Sequence, residues 1–194
     1  MFKNFSLIAI LVMTSLSSFA QETDSNDKPS KFGFTAGYMY NSLNVDYEGY
    51  LFYGDDPTNT VGGDGYYAGL TYDTELGGDF GLTSELTYSI AGTKNIRLAT
   101  LLKYRLFDSN FHFTMGPELN YLMRGVITKE TGLGDYGNDL GLDLTGGLEY
   151  DINNRVSLYG RYSYELTDRY KGKQFENRQS GGFQTLRFGI KFKF

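Results

Sequence analysis

Large apolar residues recur at every second position through most of this chain. In the stretch GGFQTLRFGIKFKF, Leu186, Phe188, Ile190, Phe192 and Phe194 alternate with Arg187, Gly189, Lys191 and Lys193. A period of two is that of a β-strand with one apolar face. Phe32, Phe34, Ala36, Tyr38 and Tyr40 repeat it opposite Gly33, Thr35, Gly37 and Met39, and Tyr66, Ala68, Leu70 and Tyr72 repeat it again. Phe80 to Ile90 is a third run, facing Gly81, Thr83, Glu85, Thr87 and Ser89 the other way. Ile96 to Leu106 is a fourth, alternating with Arg97, Ala99, Leu101, Lys103 and Arg105. Residues 111–123, 140–150 and 156–164 supply three more, and the quoted stretch is the eighth.

Segments of about 8 to 13 residues suit the ~9–11 residues that a tilted strand needs to cross a bilayer, and exceed the usual soluble strand. The links near Glu75-Leu76-Gly77-Gly78, Asp108-Ser109-Asn110 and Asp151-Ile152-Asn153-Asn154 have the composition of tight turns. Of the alternate links, 41–65, 124–139 and 166–182 are long and 91–95 is short. Short turns at one end and long loops at the other predict an eight-stranded antiparallel up-and-down transmembrane β-barrel, with both termini on the short-turn, periplasmic side. A soluble lipocalin-like binder also uses eight strands but turns its apolar face inward.

The first twenty residues differ from the rest. Lys3, the apolar stretch from Leu7 to Leu16 and the Ser18-Phe19-Ala20 ending have the anatomy of a secretory signal peptide. The expected organisation is a signal peptide over 1–20, a flexible periplasmic lead-in over 21–31 and the barrel over 32–194. The chain has no cysteine, which excludes disulfides, thiolate metal sites and a lipid-anchored start. Its 25 glycines, 17 tyrosines and 15 phenylalanines favour strands over helices. Loss of Lys3 with the leader takes the formal charge from −5 to −6, and so acidic a chain is not expected to bind nucleic acid.

Closing such a sheet in lipid turns the apolar face outward and the polar face inward. The inward set holds Glu85, Arg97, Lys103, Arg105, His112, Glu118, Asp143, Glu149, Arg161, Glu165, Arg187 and Lys191. Eight strands enclose little more than side chains, so a plug of ion pairs is expected rather than a pathway for ions or small solutes. Strand pairing through the short links places Glu85 towards Lys103, Glu118 towards Arg97 and Asp143 towards Arg161.

Residues 141–168, GLDLTGGLEYDINNRVSLYGRYSYELTD, resemble the outer-membrane β-barrel domain common in Bacteroidota, as does GPELNYL at 116–122. The resemblance spans essentially the whole mature chain and implies a fold more than an activity. Architectures of this kind include structural barrels, small porin-like and OmpA-like proteins, adhesin-type barrels and a type IX secretion component. Phe188, Ile190, Phe192 and Phe194 also resemble the terminal aromatic signal by which the barrel-assembly machinery recognises its clients.

Catalytic and cofactor signals are sparse. His112 is the lone histidine and falls at the periplasmic end, and no zinc signature, phosphate loop or nucleophile elbow occurs. No catalytic residue, cofactor or metal is therefore expected, and an enzyme acting on lipid A is a distant alternative. The first long loop offers Asp46, Glu48, Asp55 and Asp56 as oxygen ligands for Ca²⁺, but a solvated acidic loop explains the same residues. Its Tyr47, Tyr50, Leu51, Phe52 and Tyr53 suit an extracellular partner. Arg169, Lys171, Lys173 and Arg178 in the last loop suit lipopolysaccharide phosphates. The expected role is structural or surface-interacting, carried by the loops, with a narrow porin-like channel as the alternative.

Overall fold

The computed structural model describes residues 31–46, 59–107, 109–123, 140–167 and 180–194. Eight strands form one closed sheet in chain order: β1 (Lys31–Asp46), β2 (Asn59–Gly77), β3 (Phe80–Ala91), β4 (Thr93–Arg105), β5 (Phe111–Met123), β6 (Leu140–Asp151), β7 (Val156–Glu165) and β8 (Ser180–Lys193). Each strand is antiparallel to its neighbours. β8 closes on β1 in unbroken register from Gly33 opposite Lys193 to Asp46 opposite Ser180. The Phe194 N–H extends that seam by donating to the Phe32 carbonyl at 2.8 Å. Closure leaves no sheet edge along the shared height of the strands, the condition for a β-structure whose outer face meets no water.

Three short turns join strands at one end. At β2–β3, Gly77 and Gly78 have φ of 117° and 59°, a left-handed path that only glycine takes without strain. At β6–β7, the Asn153 side chain accepts from the N–H groups of Arg155 and Val156 at 2.8 and 2.9 Å and so folds the turn locally. At β4–β5, Ser109 N–H returns to the Leu106 carbonyl at 3.0 Å. At the other end β3 reverses into β4 at Gly92, φ 66°, where the sequence predicts a longer link over 91–95.

β1 and β2 run further than the apolar alternation predicts. They stay paired up to Val45 opposite Asn59, inside the stretch read as a 41–65 loop. Alternation marks only where a face must be apolar, whereas backbone pairing continues wherever two strands stay adjacent. The leader and lead-in, apart from Lys31, lie outside the described residues. So do Glu48, Asp55 and Asp56 of the acidic loop and the basic residues 169–178.

Burial inverts the arrangement of a water-soluble protein. Outward Leu70, Leu86, Leu102, Leu148, Phe188 and Tyr66 are exposed, while inward Glu118, Glu149 and Lys191 have no accessible surface. The outward band is aliphatic at its waist and aromatic at both rims. Tyr38, Tyr40, Tyr66, Tyr88, Tyr121 and Tyr164 stand towards the long-loop end, with Phe32, Phe80, Tyr104, Phe111, Tyr150 and Phe192 at the short-turn end.

The lumen is narrow enough to require glycine on its walls. Tyr67 and Tyr159 reach across it and hydrogen-bond through their hydroxyls at 2.7 Å, and the Tyr159 hydroxyl meets Thr35 Oγ1 at 2.5 Å. A Cβ on Gly189 would lie 2.1 Å from the Tyr67 hydroxyl, and one on Gly37 would lie 2.1 Å from the Phe188 carbonyl oxygen. Gly37→Ala should therefore lower stability by about 1–3 kcal/mol through overpacking. The shift of the urea midpoint in reversible unfolding checks this, and an unchanged midpoint would contradict the close packing of β1 on β8.

Candidate functional site: the charged lumen and its mouth

Alternation along eight strands delivers the ionisable side chains to one enclosed space, where they sort into two layers. In the layer nearer the long loops, Arg97 Nη1 holds Glu118 Oε1 at 2.7 Å and Asp143 Oδ2 at 3.0 Å, while its Nη2 donates to Thr185 at 3.1 Å. Arg187 takes the other oxygen of Glu118 and donates to Ser163 at 3.0 Å. Thr145 links Ser163 (2.7 Å) to Glu118 (3.3 Å), and Thr185 donates to Asn41 at 2.7 Å. Carboxylates and guanidinium groups thus share partners rather than forming isolated pairs.

The second layer is centred on Glu149. Lys103 reaches it at 2.7 Å, Lys191 at 2.9 Å and Arg161 at 3.4 Å. Arg161 also pairs with Glu85, and its guanidinium lies 4.2 Å from the Tyr159 ring centroid. Lys191 continues to Asp73 at 3.2 Å, and Lys193 bridges to Asp151 at 2.9 Å. Glu85, Arg97, Glu118, Asp143, Glu149, Arg161, Arg187 and Lys191 each keep 2% or less of their surface accessible. Charges so removed from water are tolerated only when paired and hydrogen-bonded.

Glu118 meets Arg97, as strand pairing suggests. Glu85, expected beside Lys103, instead crosses the lumen to Arg161 and Lys191. Arg161, expected beside Asp143, engages Glu85 and Glu149, while Asp143 meets Arg97. Neighbour-strand reasoning misses these pairs because long side chains in a narrow barrel span its diameter: Glu85 on β3 and Arg161 on β7 are far apart around the wall. Lys193 faces the lumen mouth, as its place opposite the apolar face of the last strand predicts. Asp73, Asp151, Tyr67 and Tyr159 also belong to the lumen; their inward parity was legible, but aromatic neighbours (Tyr66) and turn proximity (Asp151) masked it.

At the short-turn end the lumen opens into a cavity of about 360 Å³. Lys31, Asp73, Lys103, Arg105, His112, Asp151 and Lys193 line it. Arg105 stands opposite His112 in the β4–β5 register. His112 Nδ1 lies 3.6 Å from Asp151 Oδ2, and Ser157 donates its hydroxyl to the other oxygen of Asp151. In a nucleophilic triad the imidazole stands between serine and carboxylate; here the carboxylate stands between serine and imidazole. The arrangement therefore orients Asp151 and does not activate Ser157. Among the described residues no group of three His, Asp or Glu side chains is placed to hold a metal ion. Asp46 closes the β1–β8 pairing, and its proposed Ca²⁺ partners lie outside the described residues.

No family model and no curated protein matches the chain. Solved structures match by fold. Neisserial surface protein A is 16% identical, with TM-score 0.46 over 83% of this chain and 97% of its own. Ail, the attachment invasion locus protein of Yersinia pestis, is 13% identical, with TM-score 0.46 over 85% and 99%. The outer membrane protein OprG of Pseudomonas aeruginosa is 15% identical, with TM-score 0.42 over 87% and 97%. Likeness at this level assigns no activity; the architecture of this chain rests on its own register.

The shared partners give a specific energetic signature. Glu118→Ala takes from Arg187 the carboxylate it pairs with and leaves Arg97 to Asp143, and should cost about 3–5 kcal/mol, whereas a combined Arg97→Met, Glu118→Met, Asp143→Leu, Arg187→Met variant should cost far less than the sum of its single changes. Denaturant unfolding of the set checks this, and additive losses would contradict a coupled network.

Proposed function

We propose that the protein is a bacterial outer-membrane barrel with a structural or surface-interaction role, non-enzymatic, its termini in the periplasm and its long loops outside the cell. The observation that carries this reading is the inversion of polarity around a closed sheet: an apolar belt outside and a paired charge network inside. Water would reward the opposite arrangement, and hydrocarbon rewards this one. Aromatic rims flanking an aliphatic waist fit the two interfaces of a bilayer. The three short turns each present an exposed apolar residue, Leu76, Phe107 and Ile152, which suits a boundary between lipid and water.

With the lumen filled by side chains, recognition falls to the loops. Lipopolysaccharide phosphates suit the basic 166–182 loop and an extracellular partner suits the aromatic first loop. Phe188, Phe192 and Phe194 lie on the outward face of β8, as a strand read by the barrel-assembly machinery would require. The likeness of residues 141–168 to a Bacteroidota barrel domain fits the same role.

The membrane assignment is tested at Leu98, which stands between Leu86 and Leu119 at the waist of the belt. Leu98→Arg should cost roughly 2–4 kcal/mol in reversible unfolding from lipid vesicles. The wild type should float with the vesicles and migrate differently on gels before and after heating. A change below about 0.5 kcal/mol, the size usual for a water-exposed site, would contradict the reading.

A further inference from the structure

The outward face at the short-turn rim carries a repeated aromatic pair. Phe32 stands opposite Tyr72, Phe80 opposite Tyr104 and Phe111 opposite Tyr150, with ring centroids 4.7, 5.0 and 4.6 Å apart. The fourth position of the series breaks the pattern: Phe192 on β8 faces Val156 on β7. A valine at the place that Phe32, Phe80 and Phe111 hold on β1, β3 and β5 leaves the aromatic girdle open between β7 and β8, beside the barrel seam. A groove of about 700 Å³ lies there, lined by Phe34, Arg155, Val156, Phe192, Lys193 and Phe194.

The turn beside this groove is basic. The Arg155 N–H is held by Asn153 and its carbonyl accepts from the Lys193 N–H at 2.7 Å. Its side chain is exposed and makes no ion pair among the described residues. Lys31 rests its ammonium on the Asn154 carbonyl at 3.4 Å, bringing a second cation to the same turn. Asp151 is taken up by Lys193 and Ser157, and the acidic rim residues Glu75 and Asp79 belong to the β2–β3 turn. Asp73, opposite Lys31 in the β1–β2 register, is engaged by Lys191 and Lys193, which leaves Lys31 and Arg155 as the cations at this turn.

We propose that this groove binds an anionic phospholipid of the periplasmic leaflet. One acyl chain fills the gap left by Val156, and the headgroup phosphate meets Arg155 and Lys31. The inference rests on the membrane reading above. An apolar concavity facing hydrocarbon is completed by a chain, since a void forfeits its dispersion contacts. Any phospholipid could supply that chain; the two cations select the headgroup, with a guanidinium suited to paired hydrogen bonds on phosphate oxygens. A second copy of this chain is the competing occupant, since its short-turn rim would bring the exposed Glu75 and Asp79 to the same height, and the mass spectrum separates the two.

Native mass spectrometry of the refolded protein in detergent, with phosphatidylglycerol or phosphatidylcholine added, tests this. One phosphatidylglycerol should be retained per barrel, preferred over phosphatidylcholine by about tenfold. A combined K31Q and R155Q variant should lose that preference, and Val156→Trp should lose retention, with heat-modifiable migration reporting that each variant still folds. Equal retention of the two lipids by the wild type, retention unaffected by the charge variant, or a dimer replacing the lipid-bound monomer would overturn the proposal. Vesicle flotation separates the two levels. A barrel that floats without selective lipid retention refutes this site alone, whereas one that fails to float refutes the membrane reading beneath it.

Discussion

A barrel with an apolar outer face has only one place for its charges. Each strand alternates sides by backbone geometry, so committing one face to leucine, phenylalanine and tyrosine commits the other to the interior. Here that interior receives Arg97, Arg161, Arg187, Lys191, Glu85, Glu118, Asp143 and Glu149, all withdrawn from water. Their mutual pairing follows from enclosure: an unpartnered ion at such a site would cost more than the fold can spare. Closure of β8 on β1 and neutralisation of the lumen are therefore one requirement seen from two sides.

The arrangement fixes more than stability. Glu118 is shared by Arg97 and Arg187, and Glu149 by Lys103, Lys191 and Arg161, so moving one charge disturbs several strands. The Tyr67–Tyr159 pair lies across the space over Gly37 and Gly189, and Arg161 lies against the Tyr159 ring. Such a scaffold suits a protein whose recognition is carried beyond the rim, where β1 and β2 remain paired past the β3–β4 turn.

Much of this architecture is legible in the sequence. Strand number, antiparallel order, the inward face and the three short turns follow from a period of two and from the placement of Gly, Asn and Asp. The pairings within the lumen were only partly legible. Glu118 with Arg97 follows from adjacent strands, but Glu85 with Arg161 depends on which side chains meet across a closed ring, and sequence spacing carries no information about diameters. The reach of β1 to Asp46 was hidden for a different reason, because beyond the hydrocarbon a strand needs no apolar face to announce it. Val156, unremarkable by itself, gains meaning only against Phe32, Phe80 and Phe111, which occupy the equivalent place elsewhere on the rim.

The central claim is that the lumen is filled by its own charges, and planar-bilayer recording of the refolded barrel tests it most directly. A closed network predicts a flat current trace at moderate voltage, with conductance appearing in variants that remove Glu149 or Arg161. Steady, sizeable conductance from the wild type would contradict the account and make the lumen itself the working site.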